Sequence, residues 1–149
     1  MTNSLNQLSD AGSRFIRNFE GFRAFEYSDT GGLITIGYGE RVNVGAYPNG
    51  ITEEQALVLF NQAVDKIIIQ LGKLPFAGFM QHQIDAILSL AFNVGYEGFV
   101  NSTIYKQLIV RSTDLGAWNW IVRDQKGKID QGLVNRRRAE LKLFIYGLY

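Results

Sequence analysis

The chain has 149 residues, the size of one domain that buries a full hydrophobic core without disulfide or metal staples. Hydrophobic residues make up 46% and charged residues 19%, a globular balance, and 15 Lys+Arg against 14 Asp+Glu leave a net charge of +1, so no nucleic-acid partner is expected. There is no cysteine and one histidine, His82, which excludes disulfides, thiolate zinc sites, cysteine nucleophiles and metal sites built on several imidazoles.

The stretch from Met1 to Asp10 has neither the basic start nor the apolar run of a secretory signal. No segment approaches the ~18 consecutive apolar residues of a membrane span. Synthesis in the cytosol without stable membrane insertion is therefore expected. A first helix is predicted from Ser9, its cap, to Glu20, with Ala11, Phe15, Ile16 and Phe19 as the apolar stripe and Gly21 as the stop. From Phe22 to Gly39 the composition shifts to glycine, aromatic and β-branched residues. Tyr27 to Gly32 reads as a turn and Leu33 to Tyr38 as a strand, which predicts a small antiparallel sheet.

Thr52-Glu53-Glu54-Gln55 is a capping box, and Ala56, Leu57, Phe60, Ala63, Val64, Ile67, Ile68 and Leu71 follow at helical spacing until Gly72 and Pro75. A further helix is predicted from about Phe79 to Val94, stopped by Gly95. Shorter ones are predicted at about 102–111 and 113–123, then a loop at Lys126-Gly127-Lys128 and a last helix from about Leu133 to Tyr146. The fold class is α+β, in a single domain over 1–149 with no internal repeat and no linker. Charge is polarised along the chain. Residues 1–100 hold six Lys/Arg and ten Asp/Glu, whereas 101–149 hold nine and four.

Three polar residues in the front half form a candidate catalytic set. Glu20 closes a helix, where the negative end of the helix dipole and the flanking Phe19 and Phe22 disfavour an ionised carboxylate and favour an acid able to donate a proton. Asp29 sits in a polar turn whose backbone N–H groups favour the ionised form. Thr35, on the strand, offers a hydroxyl to orient a water. Two carboxyl groups in opposed environments suit glycoside hydrolysis. Equally, an Asp-Thr-Gly turn and a helix-end Glu are ordinary solvated groups, and spacing in isolation leaves both readings open.

The segment Glu20-Gly21-Phe22-Arg23-Ala24-Phe25-Glu26-Tyr27-Ser28-Asp29, with Gly32-Leu33-Ile34-Thr35-Ile36-Gly37-Tyr38-Gly39, resembles the active-site signature of the phage-type lysozymes. The intervals of nine and six residues between Glu20, Asp29 and Thr35 match that signature. Downstream, Leu59 to Asp65, Ala91 to Gly95, Gly98 to Ser102 and Gly132 to Glu140 with Phe144 resemble later family segments in order.

The resemblance implies a sheet-bearing lobe at about 20–51, a connecting helix at about 52–71 and a helical lobe at about 72–149, with peptidoglycan held in the cleft between. It implies hydrolysis of the β-1,4 bond from N-acetylmuramic acid to N-acetylglucosamine. Glu20 is then the general acid, and Asp29 and Thr35 position water. Tyr27, Glu40, Phe92, Asn93, Ser102 and Arg136 are expected to bind substrate, Arg136 also pairing with Glu20. Such a pair opposes the dipole effect on Glu20, and the sequence leaves the winner open. No metal or organic cofactor is implied. Glu40 is a departure, because many family members carry His after Gly-Tyr-Gly; a carboxylate there adds negative charge beside Glu20.

The expected role is an endolysin, a monomer made in the host cytoplasm and released through holin-made lesions to reach periplasmic peptidoglycan of a Gram-negative host. A virion-associated lysozyme for entry and a non-catalytic peptidoglycan-binding module are the alternatives. Gly37-Tyr38-Gly39 lacks the third glycine of a dinucleotide fingerprint, since Val42 stands there. His82 is expected to pack or face solvent, Trp118 and Trp120 to be core or rim aromatics, Leu141 to Tyr149 to pack onto the body, and Arg138 at least to be a solvated base.

Overall fold

The computed structural model describes residues 7–149, so Met1 to Asn6 of the stretch considered above lie outside the described residues. Helix α1, Asp10–Glu20, starts where Ser9 Oγ accepts from the Gly12 N–H at 2.9 Å and ends at Gly21, whose φ of +71° turns the chain away. Its Phe15 and Ile16 are buried.

Three antiparallel strands follow in the order β1 (Arg23–Ser28), β2 (Ile34–Gly37), β3 (Glu40–Arg41). Thr35 is the central residue of a row, with Tyr27 opposite on β1 and Arg41 opposite on β3. Tyr38, in the turn after β2, binds the sheet to the next helix. Its ring meets Phe60 edge-on and its hydroxyl donates to Glu53 at 2.9 Å. That helix, α2, spans Glu53–Leu71 and carries the full capping box between Thr52 and Gln55.

Helix α3, Gln81–Val100, is the centre of the helical lobe and packs against α1, α2, α4 (Thr103–Ile109) and α5 (Gln131–Tyr146). From Ile84 to Ala91 every residue is buried, and each large apolar side chain removed from water there is worth about 1.5–3 kcal/mol. Gly95 stands at φ +78°, ψ +163° inside α3, so the expected stop is a sharp kink, after which the helix resumes to Val100. Among the described residues, no helix is long and apolar enough to cross a membrane.

One expected helix does not form. Residues 113–123 hold only a short 3-10 turn at Gly116–Trp118. Ser112 Oγ accepts from the Asp114 N–H and Asp114 Oδ1 from the Gly116 N–H, giving the backbone local partners that compete with a helix. The Lys126–Lys128 loop instead closes a small hairpin through an Arg123–Ile129 bridge. Trp118 is fully buried, Trp120 is 42% exposed, and His82 packs beneath Gly147.

Candidate active site

A cleft of about 760 Å³ runs between the sheet and the helical lobe, with Glu20 and Asp29 both in its lining. Glu20 reaches it because Gly21 ends α1 there. The Gly37-Tyr38-Gly39 turn then brings backbone close to two carboxylates. A Cβ on Gly39 would lie 3.2 Å from Glu20 Oε2, and one on Gly37 only 2.7 Å from Glu40 Oε2. Both glycines have positive φ, +67° and +98°, so the motif meets conformational and steric demands at once.

Arg136, on α5 and 2% exposed, donates from Nη1 to Glu20 Oε1 at 2.5 Å. Its Nε donates to Glu140 Oε1 at 3.2 Å and its Nη2 to the Ser89 carbonyl at 3.2 Å. The guanidinium lies 5.5 Å from the Phe19 ring centre. The α1 terminus is therefore clamped by the opposite lobe.

Asp29 has different surroundings. Its Oδ1 accepts from the Gly31 and Leu33 N–H groups at 2.8 and 2.9 Å, the turn geometry expected of it. Thr35 is 3% exposed and outside the lining of the cleft, and its hydroxyl donates to the Leu33 carbonyl at 3.3 Å. That leaves the Thr35 oxygen lone pairs as acceptors.

Glu40 lines the cleft. Its Oε2 accepts from the Tyr38 N–H at 2.8 Å, and its Oε1 is buried without a partner. Burial, first, and the nearby Glu20 charge push the Glu40 carboxyl above the usual range, against the pull of backbone N–H groups. Phe92 and Asn93 line the opposite wall, Phe92 against Phe60 and Asn93 Oδ1 accepting from Arg137 at 2.9 Å.

Three residues expected to bind substrate are outside the lining of the cleft: Arg136, buried behind Glu20, and Tyr27 and Ser102. Tyr27 is beside the cleft under the Arg23 guanidinium, and burial raises its phenol. Ser102 caps α4 through the Tyr105 N–H, in a separate depression that Trp120 also lines.

Sequence reasoning missed a polar stripe on α2, Gln62, Lys66 and Gln70, which lines the cleft at helical i, i+4, i+8 spacing. It also missed the burial of Arg137 and Glu140, both fully enclosed. The i+3 and i+4 spacing of Glu140 from Arg137 and Arg136 was the available signal. Only Arg138 of the three arginines is exposed.

A small sheet lobe and a helical lobe meeting over a carboxylate-lined cleft define a lysozyme-like glycoside hydrolase. The chain belongs to the phage lysozyme family, which it matches over residues 17–140. It is 33% identical over 145 residues to an endolysin of Acyrthosiphon pisum secondary endosymbiont phage 1, across 92% of this chain and 97% of that protein. Among solved structures, it resembles the endolysin from Escherichia coli O157:H7 phage FAHEc1 with a TM-score of 0.80 and 31% identity, covering 96% of each chain. It resembles the muramidase domain of SpmX from Asticaccaulis excentricus with a TM-score of 0.80 and 28% identity, over 94% of this chain and 98% of that one.

Proposed function

We propose that the protein is an endolysin that hydrolyses the β-1,4 bond between N-acetylmuramic acid and N-acetylglucosamine in peptidoglycan, with Glu20 as general acid. The observation that carries this is the pairing, in one cleft, of two carboxyl groups with unlike partners: Glu20 on a buried guanidinium, Asp29 on two backbone N–H groups. Glu20 delivers its proton to the glycosidic oxygen as the bond breaks. Asp29, with Oδ1 occupied by the turn, has Oδ2 for the attacking water. Thr35, although 3% exposed and outside the cleft lining, keeps lone pairs on its hydroxyl oxygen to accept a second hydrogen from a water that enters beside it. Attack by water opposite the leaving group inverts the anomeric centre, a course that goes with carboxyl groups about 6.5–9.5 Å apart.

The lobes, about 20–51 and about 72–149 around α2, enclose the glycan strand between Phe92 and Asn93 on one side and Glu40 on the other. The protein works as a monomer without a cofactor. It is made in the host cytoplasm and reaches the periplasmic wall when a holin opens the membrane. The test is digestion of purified peptidoglycan, with product analysis by mass and NMR. A reducing muramic end of inverted anomeric configuration, absent with Glu20→Gln, is expected. An anhydro-muramic end would mean transglycosylation, and wall binding without cleavage would mean a silent binding module.

A further inference from the structure

Beneath the cleft lies a fully buried carboxylate that the proposed chemistry does not use. Glu140 Oε1 accepts from Ser89 Oγ at 2.7 Å, Arg137 Nη2 at 2.9 Å and Arg136 Nε at 3.2 Å. Its Oε2 lies 2.8 Å from Arg137 Nε and 3.4 Å from Trp118 Nε1. Both arginines lead from Glu140 into the cleft. Arg136 ends on Glu20, and Arg137 ends on Asn93. Arg137 Nη1 has no hydrogen-bond partner, and Nε meets Glu140 Oε2 by ion-pair distance alone, without hydrogen-bond geometry. Among the described residues, Glu140 is the one anion that Arg137 contacts.

We infer that Glu140 is a positioning residue that splits the charge of the arginine pair, so that Glu20 is held by Arg136 without being locked as an anion. The inference rests on Glu20 being the general acid. Two guanidinium groups beside one carboxyl would strip its proton, and an acid without its proton cannot serve the leaving oxygen. Burial pushes the Glu140 carboxyl up, and the contacts with Arg137, Arg136, Ser89 and Trp118 oppose it, so that Glu140 supplies the second negative charge that the two arginines require. The other titratable groups that face the cleft with Glu20 are Glu40 and Arg41 of β3, Asp29, Tyr47, Lys66 of α2 and Tyr96 of α3, with Tyr27 of β1 beside them. None of these touches either arginine. Glu140 also fixes the Arg136 fork through Nε, which aims Nη1 at Glu20.

The charge logic has opposite signs for the two partners, which a merely structural role does not. Removing the Glu140 charge leaves two uncompensated cations near Glu20, so the alkaline limb of the kcat–pH profile moves to lower pH, by about one unit or more. Removing the Arg137 cation moves that limb to higher pH. Arg137→Met also frees Asn93, so KM rises, and the limb is therefore read in kcat.

The experiment compares Glu140→Gln, Arg137→Met and the charge-balanced double variant on purified peptidoglycan across pH, with Glu20→Gln as the reference. The double variant keeps the test open if Glu140→Gln alone fails to fold. Opposite shifts in the single variants, and a limb for the double variant between them, are expected. Limbs that stay fixed while rates fall uniformly would overturn the inference and leave Glu140 a packing residue. An active Glu20→Gln would overturn the general-acid assignment itself, whatever the Glu140 variants do.

Discussion

Arg136 Nη1 sits 2.5 Å from Glu20 Oε1, joining residues 116 positions apart and pinning the end of α1 to the far helix. The guanidinium serves Glu20, Glu140 and the Ser89 carbonyl from one rigid plane. A lysine keeps the charge but cannot reach all three in that fixed geometry. Arg136→Lys is therefore expected to fold with a loss of about 1–2 kcal/mol, from buried acceptors left unpaired. A misaimed acid lowers kcat by about 10- to 100-fold. Urea unfolding and clearing of permeabilised cells measure the two effects. Clearing at the wild-type rate would show that the fork geometry is dispensable.

Glu40 gives a pH prediction with a definite sign. Burial holds its carboxyl above the ordinary glutamate value of 4.5 in the folded protein. A raised acid binds its proton more tightly when folded. It is neutral in both states below pH 4.5, ionised in both above its folded value, and destabilising to the fold as pH rises between the two. Glu40→Gln stays neutral throughout and still accepts from the Tyr38 N–H. The variant is expected to gain stability over the wild type as pH climbs from about 4.5, a gap that levels off above the folded value. Thermal melts across pH read the gap, and a pH-independent offset would contradict it. Loss of the negative charge beside Glu20 is also expected to move the alkaline limb of activity to lower pH.

The elements that formed as expected are those with strong local signals: the Ser9 and Thr52 caps, the Gly21 stop and the glycine-bracketed strands. Glu20 and Asp29 shared a cleft because a helix end and an adjacent hairpin lie close in sequence. What stayed hidden depends on contacts between distant segments. Asp85 looks like a polar residue in an apolar helix, yet it is fully buried and accepts from Gln81, the Ser9 N–H and the Tyr149 hydroxyl. The resemblance singles out Arg136 as a partner of Glu20, but nothing local sets Arg137 apart from the solvated Arg138, and only the packing of α5 on α3 buries it. The expected helix at 113–123 failed because apolar periodicity does not register the side-chain-to-backbone bonds of Ser112 and Asp114.

Asp29→Asn separates turn formation from chemistry. The amide oxygen of Asn accepts from Gly31 and Leu33 N–H as the carboxylate does, so the turn is kept. Stability is expected to change by no more than about 0.5 kcal/mol. The negative charge offered to the attacking water is lost, and kcat is expected to fall by about 10²- to 10⁴-fold. Melting temperature and initial rates on purified peptidoglycan test the pair of outcomes. A folded variant that retains its rate would remove Asp29 from the mechanism.

Gly39→Ala places a methyl group 3.2 Å from Glu20 Oε2, at a residue whose φ is +98°. The backbone strain alone is expected to cost about 1–2 kcal/mol. The neighbour that must yield is the carboxylate itself, and it is not free to swing, because Arg136 holds its other oxygen. Displacing the acid by a few tenths of an ångström is expected to lower kcat at least about tenfold, with KM changing less. Gly45→Ala supplies the control, since its φ is +77° and a Cβ there meets open space. It is expected to lose comparable stability while keeping activity. Equal losses of kcat in the two variants would mean that general loosening of the sheet lobe, and not the contact with Glu20, limits the reaction.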